Sequence, residues 1–400
     1  MKTLDALVIG AGPAGATAAL LLARAGWSVA VAEKVAFPRR KVCGEYVSAT
    51  TWPLLRELGV AEALEPFAGP PVDRVGLFAG ETVIDAPMPR MHAQGAAWGR
   101  AVEREQLDAA LLERAAHRGA RVCQPVAVRR LTGSPGDFTA ETDDAPQHAR
   151  VVIAAHGSWE HGELPTQMPR RTARPSDLFG FKAHFTGASL DRRLMPLVLF
   201  PGGYGGMVQT GRDRTSFSCC IRRDALAHCR ARHPRDSAGE AVIAHVRDAC
   251  RGVRESLDGA TLVDAWLAAG PIRPGIRPRA AAGIYTIGNA AGEAHPLVAE
   301  GISMAMQSAW LLCDALLRSR AAEARVRAAK WRRQRAGYSA AFAALTTSTP
   351  TAAVSAAVLR HVPAILTWGA RCSSSRKRSV VVMANPCATR APCRSSARPR

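Results

Sequence analysis

A strand, a glycine-rich turn and a helix follow one another at the start of the chain and leave little choice of fold. The apolar run 4–9 predicts a strand, the Ala/Leu-rich segment 14–25 predicts a helix, and 28–32 predicts a second strand. The glycines of the turn, at G-x-G-x-x-G spacing, are Gly10, Gly12 and Gly15. This order is typical of a Rossmann-like α/β domain that binds a dinucleotide.

Each part of this turn has a physical role in such a site. Gly10 allows a sharp turn off the strand, Gly12 allows the backbone to approach a pyrophosphate, and Gly15 allows the helix to pack closely on the strand. Pro13 suits the first helical turn, where its missing N–H removes no hydrogen bond. The free N–H groups of that turn face the phosphates. Glu33 ends the second strand and is placed to accept hydrogen bonds from ribose hydroxyl groups.

Composition limits the class of protein. The 400 residues are 48% apolar, which predicts two or three globular units, and no apolar run is long enough for a transmembrane helix. We find no signal peptide and expect a cytoplasmic protein. Ten cysteines without a C-x-x-C pair indicate neither a metal site nor a disulfide framework.

The chain is strongly basic, with a formal net charge of +20. Residues 371–400 contribute eight of the Lys and Arg residues and no acidic residue. No basic helix and no alternation of aromatic and basic residues occurs, so nucleic-acid binding is not predicted. Attraction to anionic substrates, carrier proteins or membrane surfaces is favoured instead.

The segment after the second strand carries the basic triplet 39–41, then Cys43 and Gly44, and then a predicted helix that ends at Leu58 with Ser48 as its cap. With the glycine turn and the acid, this order resembles the FAD-dependent oxidoreductases of the geranylgeranyl reductase and aromatic hydroxylase (PHBH-fold) superfamily. The resemblance implies FAD as the cofactor. It also implies that Cys43 and Gly44 lie beside the flavin, as in the reductase branch; a buried, unreactive thiol is the alternative.

A second motif, residues 283–317, resembles the G-D-A-A-G…P…G-E-G-I…A-M-x-S-G pattern of the same superfamily. The matching positions are Gly288, Ala290, Ala291, Gly292, Pro296, Glu300, Gly301, Ile302, Ala305, Met306 and Ser308. The helix that begins near Gly301 is expected to direct its N-terminus at the flavin ring. Two residues depart from the pattern: Asn289 replaces the Asp that usually binds the ribityl chain, and Ala299 replaces a Gly.

The resemblance extends to positions between the two motifs. Arg104, in an R-x-x-L-D match on a predicted helix, is implied to lie along the cofactor; a surface arginine paired with Glu103 or Asp108 is the alternative. Residues 121–128 predict a strand, and Val126 in it is implied to contact the adenine through its backbone. His156 stands where relatives carry the Asp of Ala-Asp-Gly, which leaves the usual hydrogen bonding there open.

Residues 170–270 predict strands and turns of a substrate domain whose sheet covers the flavin. Tyr204 lies in a glycine-rich stretch and could stack on the flavin or donate a hydrogen bond, although plain turn chemistry also explains that stretch. Gly206 and Val208 stand where the reductase branch has Trp and Phe, and this departure weakens an isoprenoid-reductase assignment. No Trp-x-Trp-x-Ile-Pro occurs, which argues against a flavin halogenase.

The predicted site follows from these matches. The candidate catalytic residues are Cys43, Tyr204 and His184. The predicted cofactor-binding residues are Gly10, Gly12, Pro13, Ala14, Gly15, Glu33, Lys34, Arg40, Cys43, Gly44, Arg104, Val126, His156, Gly157, Gly288, Asn289, Ala299, Glu300, Gly301 and Ile302.

The predicted architecture is α/β, with a Rossmann-like FAD domain, an interleaved β-rich substrate domain of PHBH type and a C-terminal helical segment. Its parts are an FAD-binding domain (1–70, 95–160 and 270–320), a substrate domain (71–94 and 161–269), C-terminal helices (321–370) and a basic disordered tail (371–400). The amphipathic helices predicted within 331–368 are expected to pack on the protein rather than to contact a membrane.

Three functions fit these patterns. The first, which the sequence favours, is a monooxygenase, in which reduced flavin meets O2 and one oxygen atom passes to an aromatic, polyketide-like or other apolar small molecule, free or carrier-bound. The second is a reductase or dehydrogenase of carbon–carbon double bonds, similar to geranylgeranyl reductase. The third is an inert flavin-binding protein. No second dinucleotide motif occurs, so NAD(P)H is expected to bind transiently as reductant.

Overall fold

The computed structural model describes residues 3–88, 90, 96–158, 162–167, 172–277 and 283–318, which contain two large β-sheets and their helices. The strands are β1 (Leu4–Ile9), β2 (Val29–Ala32), β3 (Tyr46–Val47), β4 (Arg74–Ala79), β5 (Thr82–Pro87), β6 (Arg100–Ala101), β7 (Arg121–Cys123), β8 (Val128–Ser134), β9 (Asp137–Thr142), β10 (Gln147–Ala154), β11 (Leu178–Thr186), β12 (Leu194–Phe200), β13 (Gly203–Gln209), β14 (Arg214–Arg222), β15 (Thr261–Leu262), β16 (Leu267–Ile272), β17 (Gly275–Ile276), β18 (Ile284–Thr286) and β19 (Gly292–Glu293). The helices are α1 (Pro13–Arg24), α2 (Trp52–Leu58), α3 (Ala61–Leu64), α4 (Arg104–His117), α5 (Arg223–Arg232), α6 (Ala238–Ala249), α7 (Arg251–Ser256) and α8 (Gly301–Arg318). The predicted α/β class is confirmed.

The first sheet has a parallel part built from β7, β2, β1, β10 and β18. The antiparallel pair β8 and β9 continues it beyond β10. Ile9 pairs with Ala154, and Ala154 pairs with Thr286, so the carboxyl ends of β1, β10 and β18 meet at one edge. Ligands of open α/β sheets bind at this kind of edge.

Helix α1 packs on the parallel strands because its small residues allow close approach. A Cβ on Gly15 would lie 1.8 Å from the carbonyl oxygen of Gly10, so only glycine fits there. Alanines fill much of the buried length of α1, and α4 and α8 pack against it. The glycine turn and the start of α8 are thereby brought into one structural layer.

The second sheet has the order β15-β11-β14-β13-β12-β4-β5, with β16 also on β11, and only the β12–β4 pair is parallel. One face carries apolar side chains such as Phe181 and Phe217, which share a core with α6 and α7. The other face presents Lys182, Ser218 and Gly206 side by side across three strands. This second face meets the segment that follows β2.

Two local predictions were wrong. Ser48 does not cap a helix, since α2 begins at Trp52 and the Ser48 hydroxyl donates a hydrogen bond to Glu300 (3.1 Å). The single strand predicted over 121–128 is interrupted, since β7 ends at Cys123 and β8 starts at Val128. Pro125 lies in the gap, and a proline has no N–H to continue a ladder.

Several predictions fall outside the described residues. These are the helices predicted within 331–368 and the tail 371–400. Among the helices that the structure describes, none has the length and apolar character needed to cross a membrane. The domain boundaries given above stay predictions.

Candidate functional site

The glycine turn at the end of β1 leaves open space above the first turn of α1. Gly10 has φ +99°, a backbone conformation that favours glycine. A Cβ on Gly12 would find only the Nη2 atom of Arg104, at 3.8 Å, within the described residues. Pro13 and Ala14 start the helix, whose first N–H groups have no intrahelical partner. The turn is therefore suited to bind an anionic group.

Glu33 closes one side of this turn. Its buried carboxylate accepts hydrogen bonds from the N–H groups of Ala11 (2.8 Å) and Val35 (3.2 Å). Its main-chain oxygen accepts one from Val126 (2.7 Å), which leaves the Val126 carbonyl for any contact with a cofactor. A carboxylate has further acceptor capacity, so the predicted ribose contact is sterically and chemically available.

Three cations, Arg104, Lys41 and Arg39, lie close enough to interact electrostatically, and Arg104 reaches Gly12. Arg104 is 7% exposed, so it is not a surface arginine, although it does form the pair with Asp108 that the alternative named (2.9 and 2.6 Å). Burial and then the charge of Arg104 lower the pKa of Lys41 to about 8. Arg39 adds to this effect and lies 3.6 Å from a Glu33 oxygen. The group is positioned to neutralise a pyrophosphate.

Arg40, the residue of the triplet 39–41 that was predicted to bind the cofactor, instead contacts residues 264–265. Its Nη1 donates to the carbonyl of Ala265 (3.1 Å), and its Nε lies 3.7 Å from Asp264. The contact of Arg40 with the cofactor stays a prediction. Lys41 was not among the predicted cofactor-binding residues, because the sequence of three adjacent basic residues does not indicate which side chain is buried.

Residues 43–45 cross from the cofactor layer to the second sheet. The Cys43 sulfur accepts a hydrogen bond from the N–H of Glu45 (3.3 Å), and Cys43, after Asp108, lies near enough to Arg104 to raise the pKa of that guanidinium. A Cβ on Gly44 would lie 3.5 Å from the Ser218 hydroxyl of β14. Cys43 therefore lies in the cleft between the two layers and is partly exposed.

Glu45 anchors this crossing in the second sheet. Its carboxylate pairs with Lys182 and accepts a hydrogen bond from His184 Nε2 (2.8 Å), and all three side chains are 1% exposed. It also accepts the N–H of Arg104 (3.0 Å). Burial would raise the pKa of Glu45, but the charge of Lys182 and the bond from His184 outweigh it and lower that pKa to about 2. These partners therefore offset the cost of burying the Glu45 charge, and the carboxylate is ionised near pH 7.

His184, a candidate catalytic residue, belongs to this anchor. Its Nδ1 atom is buried, and no described residue hydrogen-bonds it. The structure brings His184 together with Lys182 and Glu45, two residues that sequence reasoning missed. Neither carries a local motif, since their pairing depends on how the two layers meet.

The second glycine motif packs directly on the first. A Cβ on Gly288 would lie 2.8 Å from the Cβ of Ala14, and the N–H of Gly288 donates to Ser308 (2.8 Å). Ala299 has φ +53°, so the turn keeps a left-handed residue although alanine replaces glycine. Helix α8 then starts at Gly301, where a Cβ would meet nothing within 4 Å among the described residues.

Glu300 and Ile302 flank the start of α8. Glu300 accepts the Ser48 hydroxyl, and its carbonyl accepts the N–H of Met304 (2.9 Å), which is the first helical bond. Ile302 is buried in the core that α1 and α8 share. The two helix N-termini therefore converge on one region, as the sequence predicts.

His156 and Gly157 follow β10 at the same edge. The Nδ1–H of His156 donates to the Gly157 carbonyl (3.1 Å), and its Nε2 accepts the Thr166 hydroxyl (2.9 Å). Burial lowers the pKa of His156 to about 4, and the charges of Arg277 and Lys34 act in the same direction. A neutral histidine thus replaces the acid of the relatives.

Asn289 follows β18 and lies in a network with Arg277 and Glu293. Its Nδ2 donates to Glu293 Oε1 (2.9 Å), and its main-chain oxygen accepts from Arg277 Nη1 (2.7 Å). Arg277 and Glu293 form an ion pair at 3.2 Å, each about nine-tenths buried. Sequence reasoning missed both residues, because neither belongs to the family pattern.

Tyr204, on β13, contacts the loop that leads to α8. Its hydroxyl lies 3.3 Å from His295 Nδ1, and the two ring centroids are 5.1 Å apart. Burial raises the pKa of Tyr204 and lowers that of His295, so both are neutral near pH 7. The phenol can hold a proton there.

These features fit FAD. The edge offers open glycines at 12, 157 and 301, two helix N-termini, a cationic group and a buried acid. A side chain at any of those glycines would fill the space that a cofactor needs. The predicted cofactor residues at these strand ends lie together, whereas His184 lies with Glu45 and Tyr204 with His295.

Comparisons with known proteins agree with this geometry. A family model described as "FAD binding domain" matches residues 3–340. Menaquinone reductase of Mycobacterium tuberculosis is 27% identical over 336 residues, covering 78% of this chain and 76% of that protein. Flavin-dependent halogenase armH3 of Armillaria mellea is 36% identical over 141 residues, 34% of this chain and 27% of that one. The structure of the myxobacterial chondrochloren halogenase CndH superposes with a TM-score of 0.74 at 19% identity, covering 91% and 90% of the two chains.

Proposed function

The chain belongs to the FAD binding domain family, and we propose that within this family it is an FAD-dependent reductase of carbon–carbon double bonds in an apolar small molecule. The chain is an FAD-dependent oxidoreductase of PHBH-type fold, which confirms the resemblance found in the sequence. The finer assignment is our proposal. NAD(P)H would supply two electrons and one proton, a second proton would come from the protein, and the double bond would become a single bond.

The position of Cys43 carries the proposal. It lies near enough to Arg104, the residue over Gly12, to affect the pKa of that guanidinium, while the next residue lies against Ser218 of the second sheet. A Cys-Gly pair across the cofactor cleft is the feature in which the chain resembles the reductase branch. Menaquinone reductase of Mycobacterium tuberculosis is similar over 78% of this chain and 76% of its own length, which agrees with this branch.

The chain's own residues have separable tasks in this reaction. FAD, when bound, supplies hydride transfer. The first turn of α1 and the cations beside it hold the diphosphate, and the buried anchor at Glu45 keeps residues 43–45 in the cleft. Tyr204, neutral and hydrogen-bonded to His295, is the residue that would hold the proton for the substrate.

Monooxygenation is the second candidate. Gly206 and Val208 on β13 replace the aromatic residues of the reductase branch, and this favours a different substrate surface above the cofactor. In that reaction NAD(P)H, a proton, O2 and substrate would give hydroxylated substrate, water and NAD(P)+. Both candidates use the same FAD site.

The two functions are separated by product analysis under argon and under air. The purified protein is incubated with NADH or NADPH and with a menaquinone that carries an unsaturated side chain, or with a panel of phenols. A product that keeps two added hydrogens after reoxidation of the quinone in air supports the reductase. An oxygen-dependent product with one added oxygen atom overturns it in favour of the monooxygenase, and no turnover with any substrate overturns both.

A further inference from the structure

Within the described residues, the nitrogen of the Asn289 side-chain amide has a hydrogen-bond partner and the oxygen has none. Nδ2 donates to Glu293 Oε1 at 2.9 Å, and within the described part of the chain no hydrogen bond reaches Oδ1. An amide nitrogen only donates, and an amide oxygen only accepts. Whatever fixes the rotation of this amide therefore decides whether the open end attracts a donor or an acceptor.

Glu293 fixes that rotation. It is 7% exposed and paired with the Arg277 guanidinium at 3.2 Å, which keeps it an anionic carboxylate. A carboxylate only accepts hydrogen bonds, so the amide must turn its NH2 group towards Glu293. Oδ1 is then the end that remains for a donor.

The location of Asn289 identifies the donor. It follows β18 at the strand edge where β1 ends in the glycine turn and β10 ends at His156. The preceding residue, Gly288, packs on Ala14 in the first turn of α1. The hydroxyl groups of FAD are the donors that a dinucleotide would bring to this edge.

We propose that Glu293 is a positioning residue for FAD, because it locks the Asn289 amide with Oδ1 towards a cofactor hydroxyl group. Asn289 thereby acts as an acceptor in the way that an aspartate would at this position. The inference depends on FAD binding alone, which the reductase and the monooxygenase share, so it can fail without affecting the choice between them.

The proposal predicts that the usual residue of the superfamily is unfavourable here. Asn289→Asp would place two carboxylates where a 2.9 Å hydrogen bond now joins an amide and a carboxylate, and like charges at that distance repel. Glu293→Gln would remove the fixed acceptor and let the amide rotate. In the double variant, the amide introduced at position 293 can donate to the carboxylate introduced at position 289, which restores an oriented acceptor and one negative charge beside Arg277.

The test is the dissociation constant of FAD for the full-length protein stripped of cofactor, measured by flavin fluorescence quenching. Asn289→Asp and Glu293→Gln are each expected to weaken binding about tenfold or more, the effect of one charge-assisted hydrogen bond. The double variant is expected to return to within about threefold of wild type.

Two controls separate positioning from folding. Thermal unfolding of each cofactor-free protein shows whether the fold tolerates the loss of the Arg277–Glu293 ion pair. If Glu293→Gln does not fold, Asn289→Asp alone tests the proposal, because that variant keeps the ion pair. Asn289→Ala gives the affinity without any acceptor. Binding by Asn289→Asp as tight as wild type, or a double variant no tighter than the weaker single variant, would overturn the proposal.

Discussion

Glu45 and Lys182 form a buried ion pair across the two layers of the protein, although 137 positions separate them in the chain. Each side chain is 1% exposed, and the carboxylate also accepts hydrogen bonds from His184 and from the N–H of Arg104. Glu45 has φ +61°, so its backbone adopts a left-handed conformation beside Gly44. The pair fixes the Cys43–Glu45 segment on the second sheet.

Breaking this pair on one side should destabilise the protein strongly. Lys182→Met leaves a buried carboxylate without its cation, which is expected to cost about 3–5 kcal/mol in the free energy of unfolding. Urea denaturation measures the effect. Glu45→Gln combined with Lys182→Met should recover most of the loss, because no unpaired charge remains.

A surface ion pair supplies the control for that experiment. Arg129 pairs with Asp143 in full contact with solvent, so Arg129→Met should leave the unfolding midpoint unchanged. A Lys182→Met protein as stable as Arg129→Met would contradict the account of the anchor.

Stability should fall between pH 7 and pH 5 because of His156. The folded state holds its pKa at about 4 while the unfolded value is about 6.5, so the unfolded chain binds the extra proton first as the pH drops. The contribution is present above the unfolded pKa and decreases below it, by about 2 kcal/mol at pH 5. Glu45, with a pKa of about 2, does not titrate in this window.

His156→Gln tests this pH dependence, since an amide can replace the hydrogen bonds without titrating. Urea unfolding at pH 7 and pH 5 should show a smaller decrease for this variant than for wild type. An equal decrease in both proteins would assign the pH dependence to other groups.

Lys41 should contribute to FAD affinity in a pH-dependent way. The pyrophosphate favours the ammonium form, and the pKa of about 8 means that wild type loses this charge between pH 7 and pH 9. Lys41→Met is expected to weaken binding about tenfold at pH 7 and less at pH 9. Arg24→Met, at the opposite end of α1, removes an equal charge and should leave the affinity unchanged. An equal loss of FAD affinity in both variants would show that the effect depends on the net charge of the protein and not on the position of Lys41.

The sequence predicted what short-range chemistry dictates. Gly10, Gly12 and Gly15 mark a strand, turn and helix within a few residues, and the second motif does the same for the start of α8. Glycine spacing is informative because each position has one steric requirement. The convergence of the two helix ends follows from the parallel pairing of β1, β10 and β18.

Contacts between layers could not be predicted in this way. Lys182 is one of many polar residues on predicted strands, and nothing near it in sequence indicates that Glu45 lies opposite. His295 lies within the second glycine motif, and the sequence did not predict a role for it. Its contact with Tyr204 depends on how the second sheet meets the loop before α8. Such pairs are set by tertiary packing rather than by local pattern.

Gly15 and Gly12 should respond differently to added side chains. Gly15→Ala places a Cβ 1.8 Å from the oxygen of Gly10, so the helix must move off the strand at a cost of about 3 kcal/mol. Among the described residues Gly12→Ala meets only Arg104, at 3.8 Å, and it should leave the unfolding free energy of the cofactor-free protein unchanged. Equal destabilisation by both would contradict the assigned roles.

The FAD content of Gly12→Val, read from the visible flavin absorbance of the purified protein, tests the cofactor site most directly. Wild type should be yellow, with about one FAD per chain, since the family has one dinucleotide motif. Gly12→Val should fold and be colourless, because its side chain occupies the open space above the first turn of α1. A folded Gly12→Val protein with full FAD occupancy would contradict the account.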